Sequence, residues 1–424
     1  MNEIATPAPL SPTGPLPESE RIAFLDVLRG VALLGVFVAN VPWMSIAAVL
    51  ADPMESAVGS DSKLDAAAKH LVGFLVDTKF ITIFSTLFGM GMAIMSERAL
   101  AAGSRFGRTY ARRLLVLLGV GVLHGTLVWF GDILTTYALL GFLAMLFRRR
   151  RTKTILVWAA SLFAFSALLS VGMMAIDPSE MVPEAKGPDG EPLSTEERIA
   201  AETAKYAEAF SSGDFLRMIP ARAEAYALGF VMNVGLWGPR TLALFLLGLA
   251  IVRSGVLLDL ASRRKTLRKL AATGFAVGVP LQIVYAVCGE FHDSAAARGL
   301  MIAGLYFGGI SLSVAYASLV ALWTVAPGRA PRLRALFAAV GRMAFTNYLL
   351  QSVAGAIVFN YLGFYDRVGR AAGLLFALAV FAGQLFFSAW WLARFRMGPL
   401  EWAWRALTYG KREPFRRSSG AKGL

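Results

Sequence analysis

His124 and Asp132 are the two residues of this sequence best suited to chemistry. His124 lies within the apolar run from Leu114 to Phe130, and Asp132 follows shortly after that run ends. An imidazole is costly to place inside a membrane-spanning stretch, so it usually faces a polar cavity where it binds a ligand or moves a proton. We therefore predict that His124 is catalytic. Asp132 would orient its imidazole, or alternatively cap a helix that begins at Ile133.

Further polar residues fall at comparable depths in other apolar segments. Counting the helical rise from the basic end of each segment puts His124 and these residues roughly 16 to 20 Å into the membrane. They are Asn40, Ser85, Thr86 and Asn347, with Gln351 one turn beyond Asn347 on the same helix face. We predict that they form a polar chamber near the midplane. Unrelated hydrogen bonds between helices are the alternative.

Three charged residues at segment ends complete the predicted substrate-binding set. Asp26 and Arg29 share a helix face with Asn40, within about 60° at 100° per residue. They would bind substrate or form an ion pair at the membrane interface. Lys79 lies at the outer end of its segment, on the face of Thr86, and would bind substrate or extend its amine to the interface.

The composition indicates the class of protein that positions these residues. Hydrophobic residues make up 56% of the chain and charged residues 17%, which predicts an all-α, polytopic transmembrane helical bundle. Residues 1–20 have neither Lys or Arg nor an apolar core, so we predict a disordered cytoplasmic tail and no cleavable signal peptide. Cys288 is the single cysteine and the three histidines are scattered, so we predict no metal site.

Ten apolar segments are predicted to cross the membrane. They are Val27–Val49, Phe80–Met95, Leu114–Phe130, Ile133–Phe147, Ile155–Ile176, Thr241–Val252, Leu270–Val287, Leu300–Val325, Leu336–Leu362 and Ala371–Ala393. Basic loops all fall on one side of this arrangement, so both termini are predicted to be cytoplasmic. The net charge of +14 then reflects topology and attraction to the lipid bilayer, and we predict no nucleic-acid partner.

Two segments are predicted to lie outside the apolar core of the bundle, which spans residues 21–395. The polar stretch 177–222 is expected outside as a small helical cap, with a capping box at Ser194 or Thr195. It is either a solvated loop or a lid over an acceptor site. Residues 396–424 contain an interfacial helix with a Glu401–Arg405 pair and a basic tail. That helix is either an anchor or a gate over a cytoplasmic cofactor site.

Five blocks in order carry a resemblance to a known family. They are RIAFLDVLRGVALLGVFVAN, KFITIFSTLFGMG, RRLLVLLGVGVLHGTLVWFGDILTTYALLG, GRMAFTNYLLQS and GPLEWAWRALTYG. Together they resemble the YeiB-type family of bacterial inner-membrane proteins. The D-x-x-R-G signature in the first block is also similar to the broader transmembrane acyltransferase superfamily, which includes the lysosomal heparan glucosaminide acetyltransferase.

The superfamily resemblance implies an acyltransferase in the bacterial inner membrane. An acyl-coenzyme A donor would bind from the cytoplasm, and His124 would act as general base or transient acyl carrier. Asn40 and either Asn347 or Gln351 would donate to the developing oxyanion. The residues that would meet the donor phosphates are Arg29, Arg105, Arg108, Arg112 and Arg113. The acceptor would be a hydroxyl or amine of an envelope glycan, a lipid or a small molecule.

Two other classes of function stay open from the sequence. A transporter or lipid flippase would use the same polar midplane without chemistry, although we find no paired discontinuous helices of the kind that transporters show. A non-catalytic membrane scaffold would depend on the outer segment and tolerate loss of His124. The sequence leaves the acceptor, the acyl chain and the oligomeric state undecided, including a homodimer.

Overall fold

The structure is a computed structural model that describes residues 22–51, 62–103, 106–175, 193–290 and 294–417. Within these ranges the chain is helical, and its one β-type contact is an isolated bridge between Phe395 and Arg416. The first nine helices are α1 Ala23–Ser45, α2 Ala47–Ala51, α3 Lys63–Leu75, α4 Lys79–Ala101, α5 Phe106–Leu127, α6 Leu134–Met145, α7 Thr152–Ala175, α8 Thr195–Ser211 and α9 Phe215–Gly235. The others are α10 Gly238–Arg253, α11 Arg264–Glu290, α12 Ala295–Ala303, α13 Gly309–Thr324, α14 Pro331–Arg342, α15 Ala344–Gly355, α16 Arg370–Arg394 and α17 Pro399–Tyr409.

The described residues contain 7 helical stretches that are long and apolar enough to cross a membrane. Helices α9 and α10 form a further span if the two are taken together, although they are bent by 58° at the break between them. This confirms an all-α polytopic bundle. The count of ten spans and the cytoplasmic position of the termini stay predictions.

Three predicted spans differ from the helices that the structure has. The fourth corresponds to α6, whose 12 residues are too short to cross a bilayer as a straight helix. The ninth is broken at Met343 into α14 and α15, where the backbone leaves helical geometry. The sixth corresponds to α10, which α9 precedes as a long apolar helix. Asp214 caps α9, so a single helix runs from Phe215 through Arg222 to Gly235.

Glycines bring two pairs of helices into backbone contact. A methyl group on Gly30 of α1 would collide with the carbonyl oxygen of Phe337, and one on Gly341 of α14 would collide with that of Asp26. Helices α4 and α10 meet in the same way at Gly89 and Gly248. Close approach of this kind replaces the hydrophobic drive that helices lack in lipid. These crossings fix where α1 and α4 present their polar side chains.

The outer cap is partly buried. Ser194 and Glu197 form the predicted capping box at the start of α8, each side chain accepting from the other's backbone N–H. Tyr206 and Phe210, on the inner face of α8, belong to the largest apolar core of the bundle. The solvated-loop interpretation is therefore wrong for this face of α8. Residues 177–192 of the predicted cap lie outside the described residues.

Two helices continue as π-helical turns. Gly304–Gly308 joins α12 to α13, and Ala356–Tyr361 extends α15. Such turns occur frequently at functional sites because the extra residue per turn re-aims side chains. Here they place Tyr306 and Asn360, both buried, against neighbouring helices.

Candidate functional site

His124 and Asp132 are in direct contact. The Nδ1 atom of His124 lies 2.9 Å from Oδ1 of Asp132, and both residues are 3% exposed. The carboxylate fixes the imidazole with its proton on Nδ1, because only an N–H can donate to that oxygen. The other nitrogen, Nε2, is buried without a hydrogen-bond partner among the described residues. It therefore has a lone pair that no described donor occupies.

Asp132 also holds the start of the next helix. Its second oxygen, Oδ2, accepts from the backbone N–H of Thr135 at 2.9 Å, which caps α6. The two interpretations of Asp132 from the sequence thus hold together. Gly121 allows this approach, since a methyl group there would lie 2.9 Å from Oδ2 of Asp132 and still closer to Thr135.

Aromatic rings enclose the imidazole. The ring of Tyr348 from α15 lies 5.4 Å from that of His124, and Trp129 lies edge-on at 6.3 Å. The indole Nε1 of Trp129 is buried and has no hydrogen-bond partner among the described residues. Trp129 lines a small pocket with Arg222 and Asn360, beyond the end of α5.

A second polar cluster surrounds Lys79. Its side chain is fully buried, and Nζ donates to the carbonyl of Gly73 at 2.7 Å and to Oε1 of Gln282 at 2.5 Å. The interfacial interpretation of Lys79 is therefore wrong. Arg240 lies nearby, donates to Thr82 at 2.8 Å and packs 5.2 Å from the ring of Tyr306. No described carboxylate pairs with this guanidinium.

The remaining predicted midplane residues are held by other partners. Ser85 bonds to the hydroxyl of Tyr137 at 2.6 Å, and Thr86 bonds to its own helix at the carbonyl of Thr82. Asn347 and Gln351 face α16, where they donate to Ser388 and Gln384, both at 2.9 Å. Asn40 is half-buried and makes no hydrogen bond to a described residue. The contacts divide the predicted chamber into separate clusters, as the alternative of interhelical hydrogen bonds expects.

The ends of α1 and α5 that are predicted to be cytoplasmic carry the predicted donor-binding arginines. Arg29 forms an ion pair with Asp26 at 3.0 Å and keeps 28% of its side chain exposed. Arg113 stacks on Trp404 of α17, with its guanidinium carbon 3.5 Å from the ring centre. Arg108 and Arg112 are exposed, and Arg105 lies outside the described residues. The arginines thus surround one end of the bundle, and α17 covers one of them.

Glu401 docks α17 onto the bundle. Its carboxylate accepts from the backbone N–H groups of Phe345 and Thr346 and from the Thr346 hydroxyl, at 2.5 to 3.0 Å. The predicted Glu401–Arg405 pair is wrong. The first backbone N–H groups of α15 have no partner within their own helix, so they are better donors to this carboxylate. Arg405 instead lies 3.9 Å from Glu413.

The docking of α17 should depend on pH. Burial raises the pKa of Glu401 above its ordinary value of 4.5, although its hydrogen bonds act in the opposite direction. The docked helix therefore binds a proton more tightly than a free one, so docking gains stability below 4.5 and loses it as pH rises through the raised pKa. We expect slower hydrogen exchange in residues 399–409 at mildly acidic pH, after correction for the intrinsic rate.

Neutral glutamine at position 401 provides the test of that dependence. Glu401→Gln should remove the pH dependence of exchange in α17, whereas Glu413→Gln, which changes a partly exposed carboxylate nearby, should keep it. Wild-type exchange that does not change across this range would contradict the expectation.

Four residues that matter to these clusters are missing from the sequence prediction. Arg222 is the last residue of the predicted outer polar segment, and Tyr348 is not among the predicted site residues. Gln282 and Arg240 are polar residues in or beside apolar segments, so the signal that identified His124 was present for them too. Within the described ranges no three His, Cys, Asp or Glu side chains are placed to hold a metal ion.

These features define a polytopic helical membrane protein with buried polar clusters. Residues 251–411 match the family described as "Protein of unknown function (DUF418)". The chain is 35% identical over 429 residues to the uncharacterized protein YxaH of Bacillus subtilis, covering 97% of this chain and 100% of the relative. It is 30% identical to the uncharacterized protein YeiB of Escherichia coli, over 92% of this chain and 96% of the relative. The chain therefore belongs to the YeiB-type family. No solved structure matches it.

Proposed function

We propose that this protein is an acyltransferase of the bacterial inner membrane. It would move an acyl group from cytoplasmic acyl-coenzyme A to a hydroxyl or amine of an envelope acceptor. The observation that carries the proposal is the buried His124–Asp132 pair, in which Nδ1 lies 2.9 Å from the carboxylate and Nε2 has no partner among the described residues. A carboxylate on one imidazole nitrogen and a free second nitrogen is the arrangement that a general base needs.

In the proposed reaction, Nε2 of His124 takes up one proton and later returns it. This nitrogen takes the proton of the acceptor O–H or N–H as the acceptor's oxygen or nitrogen forms a bond to the thioester carbonyl carbon. The carbon–sulfur bond then breaks, and the coenzyme A thiolate takes the proton back from Nε2. Asp132 stabilises the imidazolium that exists between these events and does not itself take the proton.

The basic end of the bundle supports a cytoplasmic donor. Arg29, Arg108 and Arg112 are at least partly exposed there, and guanidinium groups suit the phosphates of coenzyme A. Helix α17 lies over Arg113 through Trp404, whose Nε1 donates to the Arg113 carbonyl at 3.1 Å. This supports the gate interpretation of α17, since undocking the helix would expose a further guanidinium.

A transporter or flippase is the second candidate. The bend of 58° between α9 and α10 is the kind of discontinuous helix that substrate sites of transporters use. Arg240 lies in the first turn of α10, immediately after that break, and is 5% exposed. A buried guanidinium at such a break would suit an anionic cargo that crosses without reacting.

Binding and transfer of a radiolabelled acetyl group test the proposal. The detergent-purified full chain would be titrated with acetyl-coenzyme A and then incubated with an envelope extract. Micromolar binding weakened by Arg113→Gln, but not by Arg263→Gln in an exposed loop, would support the donor site. Label moving into the extract would support the reaction. Absence of binding for acetyl-, succinyl- and long-chain acyl-coenzyme A would remove this donor class and favour transport.

A further inference from the structure

Arg222 is a buried cation that has no carboxylate partner among the described residues. It is 1% exposed, and its guanidinium donates to the carbonyl of Leu127 at 3.0 Å and to Oδ1 of Asn360 at 3.3 Å. Its other close contacts are the sulfur of Met218 and the side chain of Tyr361. No described carboxylate oxygen lies within ion-pair distance of it. Because an unpaired charge is expensive to bury, such a group commonly marks a binding site for the opposite charge.

A pocket lies beside this guanidinium and is lined by hydrogen-bond donors. Trp129 and Tyr365 both line it, and the Nε1 of the first and the hydroxyl of the second are buried without a hydrogen-bond partner among the described residues. The amide oxygen of Asn360 is already occupied by Arg222, and its nitrogen donates to the carbonyl of Phe210. Three groups able to donate thus meet at one small space, which holds about one water-sized group. Their common complement is an oxygen atom that bears negative charge.

The pocket lies at the end of the bundle opposite the arginines of the donor site. Met44 lines it from the last turn of α1, 15 residues or about 22 Å beyond Arg29. Phe210 of α8 in the predicted outer cap also lines it. A ligand in this pocket would therefore approach from the side of the cap and meet the bundle from outside.

The end of α5 and the turn that follows it connect this pocket to the His124–Asp132 pair. Leu127, whose carbonyl accepts from Arg222, is less than one turn beyond His124. Trp129 touches the imidazole edge-on with one side of its ring and lines the pocket as well. An anion held here would lie beside the proposed base.

We infer that this pocket binds an oxyanion, a carboxylate or phosphate, carried by the acceptor, with Arg222, Trp129 and Tyr365 as its donors. The assignment of this anion to an acceptor rests on the proposed function, whereas the anion site itself rests on the buried donors. One oxygen of the anion occupies the pocket, and the rest of the ligand lies towards the cap.

Ligand-dependent thermal unfolding of the full chain tests the inference. Inorganic phosphate, with chloride at equal ionic strength as reference, probes a soluble anion, and phosphatidylglycerol against phosphatidylcholine probes a lipid headgroup. Either anion should raise the unfolding temperature of the wild type. Arg222→Gln should weaken that binding about tenfold or more, because a charged donor is lost. Arg217→Gln, five residues earlier in α9 with 78% of its side chain exposed, should not change it.

A second variant guards against a folding defect at position 222. Tyr365→Phe removes only the phenol hydroxyl and should weaken anion binding several-fold, by about the loss of one neutral donor. Stabilisation by neither anion, or equal stabilisation of wild type and both pocket variants, would overturn the inference. His124→Ala separates the two proposals. Anion binding that survives His124→Ala, together with no acyl transfer by the wild type, would retain the anion site and reject the enzyme.

Discussion

Replacing His124 by glutamine should lower the rate of acyl transfer by about 10²- to 10⁴-fold, the usual contribution of a general base. Glutamine preserves a polar side chain of similar reach but cannot take up a proton at neutral pH. Binding of acetyl-coenzyme A should be little changed, because the proposed donor site lies at the other end of α5. The measurement is label transfer per mole of folded protein, alongside the binding constant for the donor.

The matched control for this experiment is His70→Gln. His70 is exposed on α3 and should leave the rate unchanged. Asp132→Asn provides an intermediate case, because asparagine keeps an acceptor for the α6 cap but can no longer stabilise an imidazolium. Transfer by His124→Gln at the wild-type rate would show that His124 has a structural role, and would exclude it as base and as acyl carrier.

Replacing Gly89 by valine should prevent α4 and α10 from packing. A side chain at Gly89 would enter the backbone of Phe245, and a carbonyl group cannot move aside as a flexible side chain can. The loss in free energy of unfolding should exceed the roughly 1–3 kcal/mol that is usual for overpacking, because the two helices would lose their whole contact. We expect a large loss of monodisperse protein on size exclusion in detergent and a lower unfolding temperature.

Gly91 offers a matched control on the same helix. A methyl group there would meet nothing within 4 Å, so Gly91→Val makes the same chemical change on a face with open space. It should leave the yield and the unfolding temperature close to those of the wild type. Equal damage from both substitutions would mean that helix propensity, and not the crossing with α10, sets the effect.

Patterns that depend on local sequence were predictable. Hydropathy identified the membrane class, and the Ser194–Glu197 spacing identified the start of α8, since both signals involve residues close in the chain. The contact between His124 and Asp132 also belongs here. One helical end and one short turn separate the two residues, so few arrangements could keep them apart.

The partners of distant residues were not predictable in the same way. Equal depth on different helices does not fix which face each helix turns inward, and α15 turns Tyr348 towards His124 while it turns Asn347 towards α16. The break at Met343 also separates two helices that hydropathy joins. Arg222 was misplaced because a charged residue within a polar stretch normally predicts solvent exposure.

The two oxygens of Asp132 have different tasks, and this ties the chemistry to the position of a helix. Oδ1 holds the imidazole of His124 while Oδ2 holds the first turn of α6. A shift of α6 must therefore turn the carboxylate and move the imidazole that it holds. By thermodynamic reciprocity, a ligand that displaces the imidazole of His124 must bias the position of α6 to the same extent. Ligand binding beside His124 and movement of α6 are thus two readouts of one coupled equilibrium.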